Sequence, residues 1–400
     1  MKLQQNICQN KPKPNTRALF EVLGASAKLG LTSFGGPIAH IGYFHEEYVN
    51  RRKWLDEHSF TDLIALCQFL PGPASSQLGI SIGILRAGLA GGITAWLGFT
   101  LPSAIAMLVF AFFLRGFDVS SAGWIHGLKI VAVAIVAQAI FSMGQKLTPD
   151  RSRATIAIVS MAVVLLWKTA FSQIVVIIAA ALIGFLFYRK ADLNEIRELK
   201  VYVSRKVGVA CLVLFFALLV FLPIMRQITS NHWVGIADSF YRSGALVFGG
   251  GHVVLPLLQK EVVPAGWISQ DNFLAGYAAA QAIPGPLFTF ATYLGAMING
   301  IPGAILATLS IFLPGFLLIV GILPFWNLLR KNATVQGAFT AINAAVVGIL
   351  LAALYDPIWL SAVLSPFDLV LAAALLVMLM FWKLPSWVVV IAGALGGTFL

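Results

Sequence analysis

The chain alternates between long apolar stretches and short polar connections along almost its whole length. We count thirteen apolar stretches, at residues 18–44, 61–84, 88–114, 124–145, 154–167, 171–188, 207–223, 235–257, 274–297, 303–329, 335–355, 367–382 and 386–400. A helix needs about 20 consecutive apolar residues to cross the hydrocarbon core of a bilayer. The pattern therefore predicts an all-α polytopic membrane protein of about 13 helices.

The composition excludes the soluble classes of protein. Of the 400 residues, 59% are hydrophobic and 11% are charged, whereas a soluble domain carries about 25% charged residues. The three cysteines form no CxxC pair, so we expect neither a disulfide scaffold nor a metal site, and no cofactor. The polar segment 1–17 lacks the apolar run of a signal peptide and is interpreted as a cytoplasmic tail.

The basic residues orient the predicted helices. If the N-terminus is cytoplasmic, 18 of the 27 Lys and Arg residues fall inside, 6 fall outside and 3 lie within spans. Cytoplasmic loops carry such an excess, so the net charge of +11 indicates a lipid bilayer rather than a nucleic acid as partner. We predict a multi-pass membrane protein with a cytoplasmic N-terminus and its C-terminus outside. The cluster Arg51-Arg52-Lys53 is the main violation of this orientation.

The second half of the chain repeats the first. Phe34-Gly35-Gly36 recurs as Phe248-Gly249-Gly250, and Pro71-Gly72-Pro73 recurs as Pro284-Gly285-Pro286. Seven predicted crossings separate the two starts, and because seven is odd, we expect two inverted-topology repeats. We divide the chain into the tail 1–17, an N-terminal transport repeat 18–190, a linker with an inverting helix 191–230, and a C-terminal inverted repeat 231–400.

Each repeat contains two breaks in its apolar stretches, at 34–40 and 71–77 in the first and at 248–252 and 284–289 in the second. Glycine and proline within a span free backbone groups that lipid cannot satisfy. Broken helices at matching positions of two repeats point to a transport site. Plain helix kinking and close glycine packing are the alternatives.

The polar residues around the breaks favour an anion over a cation. Lys28 and Arg242 occupy equivalent positions within spans, whereas no Asp or Glu lies clearly in the middle of one. Hydroxyl and amide side chains flank the Pro-Gly-Pro breaks, and a helix that restarts after proline presents free N–H groups to an oxyanion. Snorkelling of the two cations to the interface is the alternative.

Two histidines and two glutamates have open roles. His40 and His252 follow the glycine breaks, where each is a donor to an anion, a proton carrier or a satisfied histidine at a helix break. Glu47 and Glu261 match across the repeats. We interpret both glutamates as solvated loop charges, with gating or capping as the alternative.

Long sequence blocks surround these motifs. They read FGGPIAHIGYFHEEYV, RRKWL and LCQFLPGPASSQLG in the first half, and FGGGHVVLPLL and FLAGYAAAQAIPGPLFTFATYLGA in the second. These blocks resemble the chromate ion transporter family in its long, two-domain form. The resemblance implies an inner-membrane protein that exports chromate, with sulfate as a competing analogue, driven by the membrane potential or a proton gradient. The motif positions that it carries over are Gly35, Gly36, Pro37, His40, Pro71, Gly72, Pro73, Gln77, Gly249, Gly250, Gly251, His252, Pro284, Gly285 and Pro286.

We therefore expect a secondary transporter that exports chromate and confers chromate resistance. Expelling a dianion from a negative interior gains about 4.6 kcal/mol at 100 mV. The predicted substrate-binding set adds Lys28, Ser75, Arg242, Gln281 and Thr289 to the motif positions.

Other functions stay open at this point. One alternative is an importer or exchanger of sulfate or another oxyanion on the same scaffold. A membrane-embedded enzyme or scaffold is a second. The sequence contains no HExxH, GxSxG or P-loop motif, and we expect no catalytic residues. The oligomeric state is also open, a homodimer included.

Overall fold

A computed structural model describes residues 16–34, 36–115, 123–167, 171–188, 203–229, 231–248, 251–329 and 333–399. Within these residues the chain is helical and contains no β-strand. Most of the predicted tail 1–17, and the predicted site residues Gly35, Gly249 and Gly250, lie outside the described residues.

The first half contains seven α-helices and one π-helical turn. They are α1 (Thr16–Thr32), α2 (Gly36–His45) with the π turn Glu46–Arg51, α3 (Glu57–Phe69), α4 (Ala74–Arg115), α5 (Gly123–Leu147), α6 (Arg151–Leu166) and α7 (Phe171–Phe187). Helix α8 (Arg205–Thr229) links the two halves.

The second half repeats this order with more interruptions. Its α-helices are α9 (His232–Ala245), α10 (Val254–Val262), α11 (Gln270–Ala282), α12 (Phe290–Ile322), α13 (Trp326–Leu329), α14 (Ala333–Ala353), α15 (Leu360–Ala362), α16 (Pro366–Met380) and α17 (Ser386–Gly397). Short 3₁₀ segments at Gly251–Val253, Leu287–Thr289 and Leu323–Phe325 and a π segment at Leu354–Trp359 lie between them.

The helices have the length and surface of a membrane protein. Among the described residues, five segments are long and apolar enough to cross a bilayer: Ala74–Arg115, Gly123–Leu147, Arg205–Thr229, Leu287–Leu329 and Thr334–Ala362. Helix α8 leaves Val213, Phe216 and Val220 about 60% exposed, as suits a surface that faces lipid rather than water. The predicted all-α polytopic class is confirmed.

The glycine break of each repeat folds the chain back on itself. Lys28 Nζ of α1 lies 2.6 Å from the Glu47 carboxylate of the following π turn, although a straight helix would separate the two residues by about 28 Å. Arg242 of α9 meets Glu261 of α10 in the same way, at 3.0 Å. Stretches 18–44 and 235–257 are therefore hairpins that enter and leave on one side, and the prediction that they cross is wrong.

The Pro-Gly-Pro break of each repeat forms a second hairpin. Tyr293 of α12 donates a hydrogen bond to the carbonyl of Asn272 in α11, at 2.8 Å, and Phe273 packs edge-on against Phe290 with ring centres 5.1 Å apart. In the first repeat, α3 likewise packs against the start of α4, where Leu63 and Leu66 share one apolar core with Leu78 and Ile82. The segments before and after each break therefore run antiparallel.

Helices α4 and α12 each reverse direction at a glycine. Gly88 and Gly300 have φ values of +68° and +63°, a conformation that residues with a Cβ rarely adopt. Across the second reversal, Thr292 and Thr308 lie 2.8 Å apart. Each of the two helices thus consists of a short arm that ends the hairpin and a long arm that crosses the molecule.

Two faces of the molecule follow from these reversals. Trp54, between α2 and α3, packs against Val22 and Ala87, so it lies at the start of α1 and at the reversal in α4; we call this end the near face. Its repeat equivalent Trp267 packs against His232 at the start of α9, with ring centres 5.4 Å apart. We call that end the far face.

The two repeats are inverted relative to each other. Between the start of α1 and the start of α9, the chain crosses on the long arm of α4, on α5 and on α8. Helices α6 and α7 run away from one face and back to it, since Ser152 at the start of α6 and Tyr188 just after the end of α7 are 2.6 Å apart. Five passes replace the predicted seven, but five is also odd, so the second repeat begins on the opposite face.

Helices α5 and α14 are exchanged between the repeats. In α5, Gly127 packs against Gly393 of α17, and in α14 the equivalent Gly337 packs against Gly184 of α7. Each exchanged helix therefore contacts the terminal helices of the other repeat. Small residues at these crossings allow the backbones to approach closely, as is usual for helices in membranes.

Candidate functional site

The four breaks meet at the centre of the molecule. The N–H of Gly72 donates to the carbonyl of Val247 at 2.7 Å, and the N–H of Gly285 donates to the carbonyl of Ser33 at 2.9 Å. Each Pro-Gly-Pro break of one repeat is thus bonded to the residue that precedes the glycine break of the other. This reciprocal pair satisfies backbone groups that lipid would leave unpaired.

A cavity of about 530 Å³ leads from the near face to this centre. It extends from Lys146 and Leu147, at the near-face end of α5, to Gly72 and Gly251 at two of the breaks. Its polar lining residues are Gln68, Ser75, Gln138, Ser142, Lys146, His252 and Asn343. The volume is in the range of pockets that hold small molecules.

The charge of this cavity favours an anion. None of the described residues that line it is Asp or Glu, and Lys146 is the single cation among them. The short arm of α4 begins at its inner end, where Gln77 is the first residue whose N–H makes a bond of the helical type, to Pro73 at 2.9 Å. The N–H groups before Gln77 carry the positive end of the helix dipole.

Four predicted site residues line the cavity: Gly72, Ser75, Gly251 and His252. His252 is held in place, since its Nδ1 lies 2.9 Å from the Tyr277 hydroxyl and 3.5 Å from the Gln281 amide nitrogen. Gln281 thus contacts the site through His252. The structure therefore brings residues from both repeats to one wall.

Other predicted residues stabilise the breaks themselves. The Gln77 side chain is buried and donates to the carbonyl of Pro71 at 2.9 Å and to that of Gly315 at 3.3 Å. Thr289 donates to the carbonyl of Pro286 at 2.8 Å. These side chains replace backbone bonds that the turns lose, a role that does not require contact with substrate.

The remaining proline and glycine positions shape the turns. Pro73 packs against Gly315 of α12, and Pro284 and Pro286 flank the positive-φ Gly285. Gly36 also has a positive φ, of +78°. The backbone of Pro37 lies in α2, but its side chain is outside the described part of the structure.

The two predicted intramembrane cations are ion-paired. Glu47 accepts from Lys28 at 2.6 Å and from Arg52 at 2.7 Å, while Arg242 pairs with Asp238 at 2.8 Å and with Glu261 at 3.0 Å. Two carboxylates, Asp238 and Glu261, therefore balance Arg242 and its neighbour Arg226, whereas Lys28 shares the single Glu47 carboxylate with Arg51 and Arg52. A direct contact between Lys28 or Arg242 and an anion stays a prediction.

The glutamates themselves are not solvated loop charges. The Glu47 side chain is only 3% exposed and that of Glu261 is 13% exposed. Our interpretation of both is wrong because each carboxylate is enclosed by cations of its own hairpin, which offset the cost of burying it.

His40 lies apart from the cavity lining. Its side chain is 2% exposed and packs edge-on against Phe99, with ring centres 5.6 Å apart. Its Nδ1 has no hydrogen-bond partner among the described residues.

The residues that α5 and α14 contribute to the cavity were not predicted from the sequence. Gln138, Ser142 and Lys146 recur every four residues in α5 and line the cavity together with Asn343 of α14. That spacing places polar side chains on one face of an otherwise apolar helix, so it was a usable signal. The contribution of α14 could not be predicted, because no sequence feature indicates that α5 and α14 are exchanged between the repeats.

An inverted pair of repeats with broken helices around a polar cavity is a common architecture of membrane transporters. The model of the chromate transporter family matches residues 20–185 and 234–398, one match in each repeat. The chain therefore belongs to the chromate transporter family.

Relatives of similar length support this assignment. A chromate transport protein of Pseudomonas aeruginosa is 29% identical over 383 residues, which cover 92% of this chain and 89% of that protein. A chromate transport protein of Cupriavidus metallidurans is 26% identical over 388 residues, covering 96% and 93%. An uncharacterised transporter of Methanocaldococcus jannaschii is 28% identical over 346 residues, covering 85% and 84%. No solved structure matches the chain.

Proposed function

We propose that this protein is a secondary transporter that exports chromate, or another tetrahedral oxyanion of the same charge, across the bacterial inner membrane. The membrane potential or a proton gradient drives the export, which confers resistance to chromate. Family membership supports transport of chromate, and two relatives are named for that activity.

The cavity carries this proposal. It holds one cation and no carboxylate among its described lining residues, and the N-terminus of a helix arm lies at its inner end. Helix N-termini bind oxyanions such as phosphate and sulfate through backbone N–H groups. Ser75 and His252 add side-chain donors beside those N–H groups.

The near face is assigned to the cytoplasm. The cytoplasmic side of a membrane protein carries an excess of Lys and Arg, and the described basic residues divide ten to three in favour of the near face. Those on the near face are Arg17, Arg51, Arg52, Lys53, Arg86, Lys146, Arg151, Arg153, Arg205 and Lys206, and those on the far face are Arg115, Arg226 and Lys260. The four other described basic residues, Lys28, Lys129, Arg242 and Lys383, are assigned to neither face. The cavity then receives its anion from the cytoplasm, as export requires.

Transport in this proposal exchanges two forms related by the repeat symmetry. Two inverted repeats give two pseudo-equivalent arrangements, one open to each face. The hairpins around the four breaks rock between them, and the predicted binding residues near the centre contact the anion in both. Expelling a dianion gains about 4.6 kcal/mol at 100 mV, so export by uniport is sufficient without a coupled ion.

Sealed membrane vesicles test this proposal. Labelled chromate and sulfate are supplied to inside-out and right-side-out vesicles at imposed potentials of either sign. We expect chromate to enter inside-out vesicles, and to do so faster when their lumen is positive. Ser75→Ala and His252→Ala should lower this uptake, whereas Glu46→Gln, at an exposed site outside the cavity, is the control that should not.

The same measurement separates the alternatives. Uptake that follows only an imposed pH gradient would exclude uniport in favour of proton coupling. Sulfate accumulation by right-side-out vesicles, with no chromate movement in the inside-out ones, would establish the importer instead.

A further inference from the structure

The α5 helix carries a ladder of polar side chains that leads into the cavity. Gln138, Ser142 and Lys146 lie on one face of the helix, and all three line the cavity. Because a helix rises 1.5 Å per residue, the ladder spans about 12 Å from the near-face mouth inward. The remaining polar lining residues, His252 and Asn343 among them, come from other helices around the same space.

Lys146 is the charged rung of this ladder. It is exposed at the mouth of the cavity and forms no ion pair with any described residue, in contrast to Lys28 and Arg242. A cation without a carboxylate beside it attracts an anion from solution, and an opening with low-dielectric walls concentrates that attraction.

The second repeat does not reproduce the ladder. Gly127 and Gly337 make equivalent contacts with the terminal helices, at Gly393 and Gly184, which aligns α5 with α14 at an offset of 210 residues. At that offset, Gln138, Ser142 and Lys146 correspond to Gly348, Ala352 and Asp356. The polar rungs are lost, and the cation is replaced by an acid.

This difference breaks the symmetry of the two faces. The near-face end of α5 presents a cation and hydrogen-bond donors to the cavity, whereas α14 is followed at the far face by Asp356, in the π segment Leu354–Trp359. Asp356 lies near enough to Lys260 to interact with it electrostatically, so the local charge there is balanced rather than positive.

We propose that the α5 ladder is a loading path for dianionic tetrahedral oxyanions, which makes the near face the high-affinity side of the transporter. Lys146 collects the anion, and Ser142 and Gln138 donate hydrogen bonds to it on its way to the N-terminus of the short arm of α4. The far-face opening lacks this path and releases the anion. The proposal rests on the proposed function, because it assigns the substrate route of that same site.

Sided kinetics test the loading path. In inside-out vesicles, which expose the cytoplasmic face, Lys146→Gln should raise the KM for chromate about fivefold, as expected for the loss of one exposed charge next to an anion. The KM measured in right-side-out vesicles should not change. Lys146→Arg should restore the normal KM because it keeps the charge, and Arg151→Gln, a nearby cation outside the cavity, should match the wild type. Equal effects of Lys146→Gln on both faces, or none on either, would overturn the proposal.

A binding measurement separates this proposal from the proposed function. In purified full-length protein with its three native cysteines replaced by serine, Ser142→Cys introduces a thiol on the ladder. Sulfate should slow alkylation of that thiol by N-ethylmaleimide, and Lys146→Gln should raise the sulfate concentration required. If vesicles transport nothing while sulfate still protects the thiol, the proposed function fails and the loading path stands. If transport occurs without any protection, the loading path is wrong.

Discussion

At the scale of single residues, glycine decides the geometry of the central turns. Gly72 and Gly285 have φ values of +120° and +102°, which residues with a Cβ rarely adopt. Their surroundings are also closed: a Cβ on Gly72 would lie 3.0 Å from the Gln77 amide nitrogen, and one on Gly285 would lie 2.6 Å from the Ser103 hydroxyl. A positive φ and a closed environment thus both require glycine at Gly72 and Gly285, the two residues whose N–H groups bond one repeat to the other.

Gly72→Ala is therefore expected to destabilise the protein by about 2 kcal/mol through backbone strain alone, and to weaken transport because the bond to Val247 is displaced. Gly285→Ala should cost at least as much, since the contact with Ser103 is shorter. Thermal unfolding in detergent measures the stability. Gly24→Ala, in the middle of α1 with no neighbour within 4 Å of the added Cβ, is the control and should not destabilise.

At the scale of the elements, ion pairs hold the open ends of the hairpins together. Glu47 receives Lys28 from α1 as well as Arg51 and Arg52 from its own end of the hairpin. Trp54 completes this clamp, with the guanidinium of Arg52 5.1 Å from the centre of its ring. A buried carboxylate that is ion-paired with cations from both arms of the hairpin links them more firmly than an exposed pair does.

A double-mutant cycle distinguishes a clamp from a substrate contact at Lys28. Glu47→Gln leaves its cations without a counter-charge and is expected to destabilise the protein by about 2 kcal/mol. This is less than the cost of breaking a fully buried ion pair, because the Lys28 side chain is half exposed. Lys28→Ala should cost less alone and should partly rescue Glu47→Gln, since it removes one repelling charge. Chemical unfolding and vesicle transport are measured for all four combinations.

The outcome assigns the role of Lys28. If Lys28→Ala abolishes transport in a fully stable protein, with or without Glu47, the lysine contacts the anion as the sequence predicted. The second repeat provides a comparison: Glu261→Gln should be milder than Glu47→Gln because Asp238 still pairs with Arg226 and Arg242.

The sequence predicted the elements better than their paths. Apolar length and the repeated motifs were sufficient for the helical class and for the four breaks. The inverted arrangement was predicted from seven crossings, and it holds with five because both numbers are odd. Apolar length and the motifs could not distinguish a kinked crossing from a hairpin, because proline and glycine interrupt the hydrophobic pattern in the same way in both. The ion pair of Lys28 with Glu47 is a contact between residues 19 apart, and helical periodicity says nothing about it.

At the scale of the whole molecule, the hairpins remove the main conflict in the charge pattern. In the thirteen-span interpretation, Arg51, Arg52 and Lys53 lay outside, against the usual excess of positive charge in the cytoplasm. Because the α1–α2 hairpin returns to the face where it starts, this cluster lies on the near face with Arg86 and Lys146. The hairpin, which is established by contacts alone, therefore also brings this cluster into agreement with the excess of positive charge on the cytoplasmic side.

Cysteine accessibility decides between the two topologies. In a protein without its native cysteines, Lys53→Cys and Pro149→Cys should react with a membrane-impermeant maleimide only in inside-out vesicles, and Ala265→Cys only in right-side-out vesicles. All three positions are exposed, so a lack of labelling would not arise from burial. Pro149 lies on the near face in either topology and is the internal standard. If the thiols of the Lys53→Cys and Pro149→Cys variants were labelled from opposite sides, α1 and α2 would together cross the membrane. The assignment of the cavity entry to the near face would then also be wrong.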